Sequence, residues 1–162
     1  MNKKQIKTGL TQGLLAGYGG KSKFQIVNRG GFQFNSSHFN EETLNYHDEW
    51  LQAKVGGGQE LIVINNEKFT RLYAGGVVEE KILKSLKISE KEIIDFLKLS
   101  IMTLKEKTRL FESCSFNKNH WSYSYQILDK DNNLPIITAK ESITYKKTVV
   151  FIHNFLLCPI IQ

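Results

Sequence analysis

The chain has 162 residues, of which 41% are hydrophobic and 11% aromatic, and its formal net charge is +6. This composition excludes a disordered chain, and no run of residues approaches the roughly 20 apolar positions of a membrane span. We therefore expect a single soluble domain over residues 1–162 that resides in the cytoplasm and does not bind membranes. The lysines are interleaved with acidic residues, so nucleic acid is not an expected partner.

The first predicted element is an N-terminal helix. Residues 3–16 carry apolar side chains four positions apart, which is the spacing of one helical face. Gly9 and Gly13 each weaken this helix by about 1 kcal/mol relative to alanine, so it needs tertiary support. The glycine-rich run 17–20 is predicted to end it.

A hairpin is predicted next. Polar and apolar residues alternate over 22–27 and again over 31–34, and the Asn-Arg-Gly-Gly sequence between them is typical of a tight turn. Residues 36–49 show no clear period, so we interpret them as a loop or a short strand around Tyr46.

Two similar segments lie about eighty residues apart. Glu60–Tyr73 and Glu141–His153 each open on a glutamate and are each predicted to form a strand, a polar turn and a second strand. Residues 65–66, both asparagine, suit the first turn because asparagine adopts positive φ readily. Glycines at 56–58 predict a flexible entry to the first hairpin, and glycines at 75–76 predict its end.

A central amphipathic helix is predicted from about residue 90 to 108. Ser89 and Glu92 form a capping box, and apolar side chains then recur on one face. A helical turn is expected over 78–86, and the chain is predicted to be strand from Trp121 onward. The pattern predicts an α+β fold with a twisted, largely antiparallel sheet. That sheet has about six to eight strands, is built from two similar hairpin units, and is packed by the N-terminal and central helices.

The residue patterns predict no cofactor, no metal site and no nucleophilic catalytic residue. Cys114 and Cys158 lack the number and spacing of a disulfide framework or a thiolate metal site. No histidine pair has the local spacing of a metal motif. The histidines are His38, His47, His120 and His153.

Glu60 and Glu141 are the strongest candidates for chemistry. If the two hairpins are related by pseudo-symmetry, the carboxylates occupy equivalent places, and converging carboxylates would raise one pKa and create an acid–base pair or a cation site. The alternative is that each glutamate begins an exposed strand and pairs with a lysine or a turn amide.

Aromatic and acidic residues gather at the predicted strand starts, which favours a pocket. The predicted ligand-binding residues are Tyr46, Asp48, Trp50, Glu60, Tyr73, Trp121, Tyr123 and Glu141. The preferred function is non-enzymatic binding or sensing of a small molecule or peptide. One alternative is a small hydrolase or metal-dependent enzyme using Glu60 and Glu141. Another is a protein-interaction or inhibitor module with a basic surface. An edge strand of the sheet offers a possible homodimer contact.

Short motifs follow one another in a characteristic order. They are Gly19-Gly20, Tyr46-x-Asp48-x-Trp50, Gly58-x-Glu60, Tyr73-Ala-Gly75-Gly76, Phe96-Leu97-Lys98, Trp121-x-Tyr123 and Glu141. Together they resemble a bacterial family of domains of unknown function that occur alone or C-terminal to XRE-type helix-turn-helix regulators. The resemblance implies the α+β fold and, through the regulators, a sensing or binding role. The chain departs from the family at His153-Asn-Phe-Leu-Leu157, where a tyrosine and glycines are expected.

Overall fold

The computed structural model describes residues 3–17, 24–51, 53–131 and 133–161. The predicted turn at Tyr18, Gly19 and Gly20 lies outside these ranges, as do residues 22–23 of the first predicted strand. The helices are α1 (Lys3–Ala16), α2 (Glu80–Leu86) and α3 (Glu90–Leu104). The strands are β1 (Gln25–Arg29), β2 (Phe32–Glu41), β3 (Leu44–Leu51), β4 (Val55–Ile64), β5 (Glu67–Val77), β6 (Cys114–Lys118), β7 (Trp121–Lys130), β8 (Ile137–Tyr145) and β9 (Thr148–Pro159).

The strands of the described residues form one antiparallel sheet with the order β1-β2-β3-β4-β5-β9-β8-β7-β6. Two meanders, β1–β5 and β6–β9, meet where β5 pairs with β9, and α2 and α3 connect them along the chain. The predicted α+β class and the predicted antiparallel sheet are confirmed. No described helix combines the length and the apolar character needed to cross a membrane.

Helix α1 approaches the sheet closely because glycines face it. A Cβ atom at Gly9 would lie 2.7 Å from Ile62 Cδ1, and one at Gly13 would overlap the Tyr46 ring. The apolar face of α1 is fully buried against β3 and β4. These glycines therefore do more than weaken the helix, because their missing side chains leave the space into which sheet residues pack.

Helix α3 begins as predicted, with the Ser89 side chain accepting from the Glu92 backbone N–H and the Glu92 carboxylate accepting from Ser89. The predicted end at residue 108 is wrong. The α-helix stops at Leu104 because Lys105 adopts a positive φ of 48°, and a short 3-10 turn follows. On the sheet side Phe96 stacks on Trp121, with ring centroids 5.3 Å apart.

Other local predictions differ from the structure. The short strand expected around Tyr46 is present as β3, but residues 36–41 continue β2 instead of forming a loop, and the glycines at 56–58 lie within β4. The glycines at 75–76 do not end β5, which continues to Val77 with φ near 150° at both positions. Strand β6 was not predicted, and the sheet has more than eight strands. In each case pairing with a neighbouring strand overrides weak local propensity.

Candidate functional site

Glu60 lies at the centre of a buried polar cluster on the helix-covered face of the sheet. Its register neighbours are Asp48 on β3 and Arg71 on β5. The Arg71 guanidinium donates from Nε to Glu60 Oε2 and from Nη2 to Glu60 Oε1, the latter at 2.5 Å. The Tyr46 hydroxyl donates to the same Oε1 at 2.5 Å. This bidentate pair is almost completely buried.

Glu141 is the centre of a second cluster on the same face. Arg109, from the segment after α3, donates to it from Nε and Nη2 at 2.7 and 2.6 Å. The Tyr123 hydroxyl donates to Glu141 Oε1 at 2.7 Å and also hydrogen-bonds to Thr108. The register partner of Glu141 on β9 is His153, whose Nδ1 lies 3.5 Å from Glu141 Oε2.

The two clusters are joined through their arginines. Arg71 donates from Nη1 to the backbone carbonyl of Arg109 at 2.5 Å. Both guanidinium groups also lie over the Phe155 ring, 5.8 and 5.5 Å from its centroid. Arg109 has a φ of 59°, a left-handed conformation that is uncommon for a residue with a side chain. The ion pair to Glu141 and the bond from Arg71 hold it there.

These contacts set the charge of both glutamates. Burial raises the pKa of Glu60, but the Arg71 cation and its hydrogen bonds outweigh that and lower it. Burial acts in the same direction on Glu141, yet the Arg109 cation and the hydrogen bonds that it donates bring the pKa of Glu141 to about 2. Both side chains are therefore ionised at neutral pH.

The expectations for the two carboxylates need correction. Neither begins an exposed strand, because Glu60 and Glu141 are buried within strands and pair with arginine rather than lysine. The facing pair of carboxyl groups is instead Glu60 with Asp48, its register partner. The signature expected of such a pair, a raised pKa, occurs at Asp48.

Asp48 is 4% exposed and has a different environment from the glutamates. It accepts a hydrogen bond from the Tyr73 hydroxyl at 3.1 Å, and no cationic side chain of the described residues forms an ion pair with it. Burial, and then the charge of Glu60, raise its pKa well above the usual range.

A cavity of about 430 Å³ opens beside Asp48. It lies between Leu14 of α1 and Ile94 of α3, over the sheet face that carries both clusters. Its aromatic lining residues are Phe24, Trp50, Tyr73 and Phe151. Its polar and charged lining residues are Asn35, Ser37, Asp48, Lys54, Glu60, Glu90, Lys98, Arg109 and His153.

Glycines create part of this space. Gly56, on β4, and Gly75, its partner on β5, both line the cavity. A Cβ atom at Gly75 would meet the Ile152 carbonyl carbon at 2.8 Å, so the glycine is required for the close approach of β9. Glycines that were predicted to mark a flexible strand entry and a strand end therefore form part of the cavity wall.

The predicted site residues fall into two groups. Asp48, Trp50, Glu60 and Tyr73 line the cavity. Tyr46, Tyr123 and Glu141 are buried in the clusters that support its wall, without being part of the lining. Trp121 is not a lining residue either, because its ring packs between Phe96 and Tyr145.

Sequence reasoning missed several residues of this region. Arg71 and Arg109 pair with the two glutamates, His153 lines the cavity, and Asn35 and Ser37 face it from β2. His153 is held by rings, with centroids 4.4 Å from Phe151 and 5.5 Å from Tyr73. Among the described residues, no group of three or more His, Cys, Asp or Glu side chains is arranged to hold a metal ion.

The sequence comparison gives a family for this chain. Residues 48–157 match a family described as "Domain of unknown function (DUF5680)", and the chain belongs to that family. The matched region contains Asp48 and both glutamate clusters apart from Tyr46. Neither the curated proteins nor the solved structures gave a match.

Proposed function

We propose that this protein is a non-enzymatic domain that binds a small molecule in the cavity between α1 and α3. The observation that carries the proposal is the cavity itself, which has a volume of about 430 Å³ and combines aromatic walls with buried polar groups. Small-molecule sites occupy roughly 300–1,000 Å³ and are mostly apolar, with a few polar groups that orient the ligand. A small molecule fits these dimensions better than an extended peptide.

The state of the glutamates favours binding over acid–base catalysis. A general acid or base works best with a pKa near the working pH, whereas Glu141 has a pKa of about 2 and is bound by Arg109. Glu60 is bound by Arg71 in the same way. Both carboxylates therefore support the wall and position its neighbours.

One observation supports the enzymatic alternative. His153 lines the cavity, and the contact of its Nδ1 with Glu141 can fix the ring so that Nε2 is available to a substrate. If the protein is a hydrolase of this kind, it should hydrolyse simple esters or amides, and His153→Gln should lose that activity. Such a result would favour the enzymatic alternative over the binding proposal.

The broader setting is part of the proposal. We place the protein in the bacterial cytoplasm, in a sensing role like that implied by XRE-associated domains. The matching positions of the two glutamate clusters support a duplication of one three-stranded unit. The strands at the sheet edges, β1 and β6, are the surfaces through which a homodimer would form. A basic protein-interaction surface remains the other alternative, and it predicts binding that weakens steeply with salt.

A fragment screen tests the binding site. Aromatic fragments with polar substituents should raise the melting temperature of the wild-type protein, because selective binding stabilises the native state. Gly56→Leu should abolish the shift by filling the cavity, since a Cβ atom there has no neighbour closer than 3.4 Å and the fold should tolerate it. Leu128→Ser, at an exposed position, is the matched control and should respond like wild type. Fragments that stabilise none of the proteins, or all three equally, would contradict the proposal.

A further inference from the structure

The buried acids of the helix-covered sheet face are unequally neutralised. Glu60 and Glu141 each have a bidentate arginine. Asp48 is also buried, but among the described residues it receives a hydrogen bond only from the Tyr73 hydroxyl. An ionised carboxylate at such a depth is costly unless a cation accompanies it. Glu60 and Glu141 therefore each have a cationic partner, whereas Asp48 has none among the described residues.

A cationic group of a ligand could reach Asp48, because Asp48 lines the cavity. Ser37 is the register partner of Asp48 on β2, and Asn35 is the partner of Trp50. Both polar side chains are buried and face the same space. A serine hydroxyl and an asparagine carbonyl can each accept a hydrogen bond, as an ammonium group with several N–H donors requires.

The aromatic side chains around Asp48 suit the same group. Trp50 lies two residues along β3 on the same face, and Phe24 packs edge-on against it with ring centroids 5.8 Å apart. Tyr73 completes this wall and is hydrogen-bonded to Asp48. Tryptophan and tyrosine faces attract cations, and the attraction grows when water is excluded.

We infer that the natural ligand carries a protonated amine that pairs with the Asp48 carboxylate, with its apolar body against the Trp50 and Tyr73 rings. This inference rests on the proposed binding function and names the ligand class. The amine takes the role that Arg71 and Arg109 play for the two glutamates. Ser37 and Asn35 accept its remaining N–H groups.

An anionic ligand fits the cavity less well. The guanidinium groups of Arg71 and Arg109 already bind Glu60 and Glu141. Two lysines, Lys54 and Lys98, also line the cavity, and Lys54 lies 3.4 Å from Glu80. A ligand carboxylate on the polar wall would approach Asp48 and Glu60, and like charges repel at that distance.

Proton balance separates an amine from a neutral ligand. Without a ligand, burial and the Glu60 charge favour the protonated form of Asp48. An ammonium ligand binds the carboxylate, so the Asp48 proton is released to solvent as the complex forms. A neutral ligand would accept a hydrogen bond from the protonated carboxyl and release no proton.

Calorimetry with matched probes tests the inference. The probes are phenethylamine and tryptamine, the alcohols that replace their amino group with a hydroxyl, and 3-phenylpropionate. Titrations at neutral pH in two buffers of different ionisation enthalpy report both affinity and proton release. The amines should bind at least tenfold more tightly than the alcohols and release protons. Asp48→Asn should weaken amine binding roughly tenfold to hundredfold, the range expected for a charged hydrogen bond.

A control variant lies on the same strand. Glu49→Gln removes a neighbouring carboxylate that pairs with Arg29 at 3.0 Å, outside the cavity lining, and should leave amine affinity unchanged. If Asp48→Asn does not fold, the preference for amine over alcohol and the proton release in wild type still decide the matter.

The outcomes separate this inference from the binding proposal. Amines that bind wild type and Asp48→Asn equally but fail to bind Gly56→Leu would leave the cavity as the site and overturn the amine assignment. Tighter binding of the alcohols or of 3-phenylpropionate would do the same. If all the probes still bind to Gly56→Leu, the cavity is not their site. That result, or a failure of every probe to bind wild type, would overturn both the binding proposal and the amine assignment.

Discussion

The three-stranded units β3–β5 and β7–β9 each neutralise a buried glutamate, but the arginines come from different places in the chain. Each buries a glutamate on its middle strand, and each glutamate has a bidentate arginine and a tyrosine hydroxyl. In the first unit the arginine is the register partner, Arg71. In the second unit that position holds His153, and Arg109 arrives from the segment after α3.

The units also differ on the other side of the glutamate. Asp48 is the register partner of Glu60, and Tyr125 is that of Glu141. Tyr125 is fully buried, and its hydroxyl donates to the Leu110 carbonyl at 2.8 Å, so this position is filled and satisfied. Asp48 faces the cavity instead. The position that Tyr125 fills in the second unit is therefore an acid at the edge of the cavity in the first unit.

Removing one arginine should have the largest effect on stability. Arg71→Met leaves Glu60 buried without a counter-charge, which costs about 3–5 kcal/mol in unfolding free energy. Arg109→Met should cost no more than Arg71→Met, because Arg71 also holds the Arg109 carbonyl. Urea unfolding at pH 7 measures both.

The double variant Glu60→Gln/Arg71→Met should recover part of the loss, because it leaves no unpaired charge. Lys91→Met, which removes the exposed ion pair with Asp95, is the control and should leave stability unchanged within error. An arginine variant as stable as wild type would refute the view that these pairs maintain the wall.

The tyrosine hydroxyls should contribute less. Tyr46→Phe removes one hydrogen bond to a buried carboxylate, which is worth about 1.5–3 kcal/mol. Tyr123→Phe should cost more than Tyr46→Phe because its hydroxyl also bonds to Thr108. Tyr145→Phe provides a matched control, since no hydrogen bond of its hydroxyl is found among the described residues. Equal unfolding midpoints for all three variants would contradict the assigned hydrogen bonds.

Gly13→Ala tests how the first unit is covered. Helix propensity favours alanine by about 1 kcal/mol, but the new Cβ atom would overlap the Tyr46 ring. Overpacking a core costs about 1–3 kcal/mol, so we expect net destabilisation of about 1 kcal/mol. Gln12→Ala, at an exposed position of the same helix, should be neutral or stabilising in thermal unfolding. A stabilised Gly13→Ala protein would show that α1 is not in tight contact with β3.

The sequence was sufficient to derive part of this site. Residues 65–66 form a two-residue turn in which both φ angles are positive, as their asparagine side chains indicate. A two-residue turn pairs residue 64 with 67, and counting back from there pairs Glu60 with Arg71. The pairing of Glu60 with Arg71 was thus predictable from the turn.

The second cluster was not predictable by the same count. The turn at 146–147 pairs Tyr145 with Thr148, which would place Glu141 opposite Ile152. A β-bulge after residue 143 shifts the register by one and brings His153 there instead. The position of Arg109 depends on the packing of the segment after α3. No local sequence pattern predicts a left-handed φ at an arginine.

The pH dependence of stability at Asp48 is the smallest expected difference between the units. Burial and Glu60 raise its folded-state pKa, so the folded protein binds a proton that the unfolded chain, with an aspartate pKa of about 4, releases. The unfolding free energy of wild type should therefore decline relative to Asp48→Asn as pH rises from about 4 toward the raised pKa, by at most about 1.4 kcal/mol per pH unit. Urea titrations of both proteins between pH 4 and 8 measure this difference.

Glu141 has the opposite linkage, and this makes the difference curve specific for Asp48. Because its pKa is lowered to about 2, its contribution is complete above its unfolded pKa of about 4.3 and is lost only as pH falls toward 2. Wild type and Asp48→Asn share that loss, so it cancels in the difference. A flat curve for Asp48→Asn would mean that Asp48 is ionised in the folded protein and already has a cation beside it, which would leave no unmet charge for a ligand amine to balance.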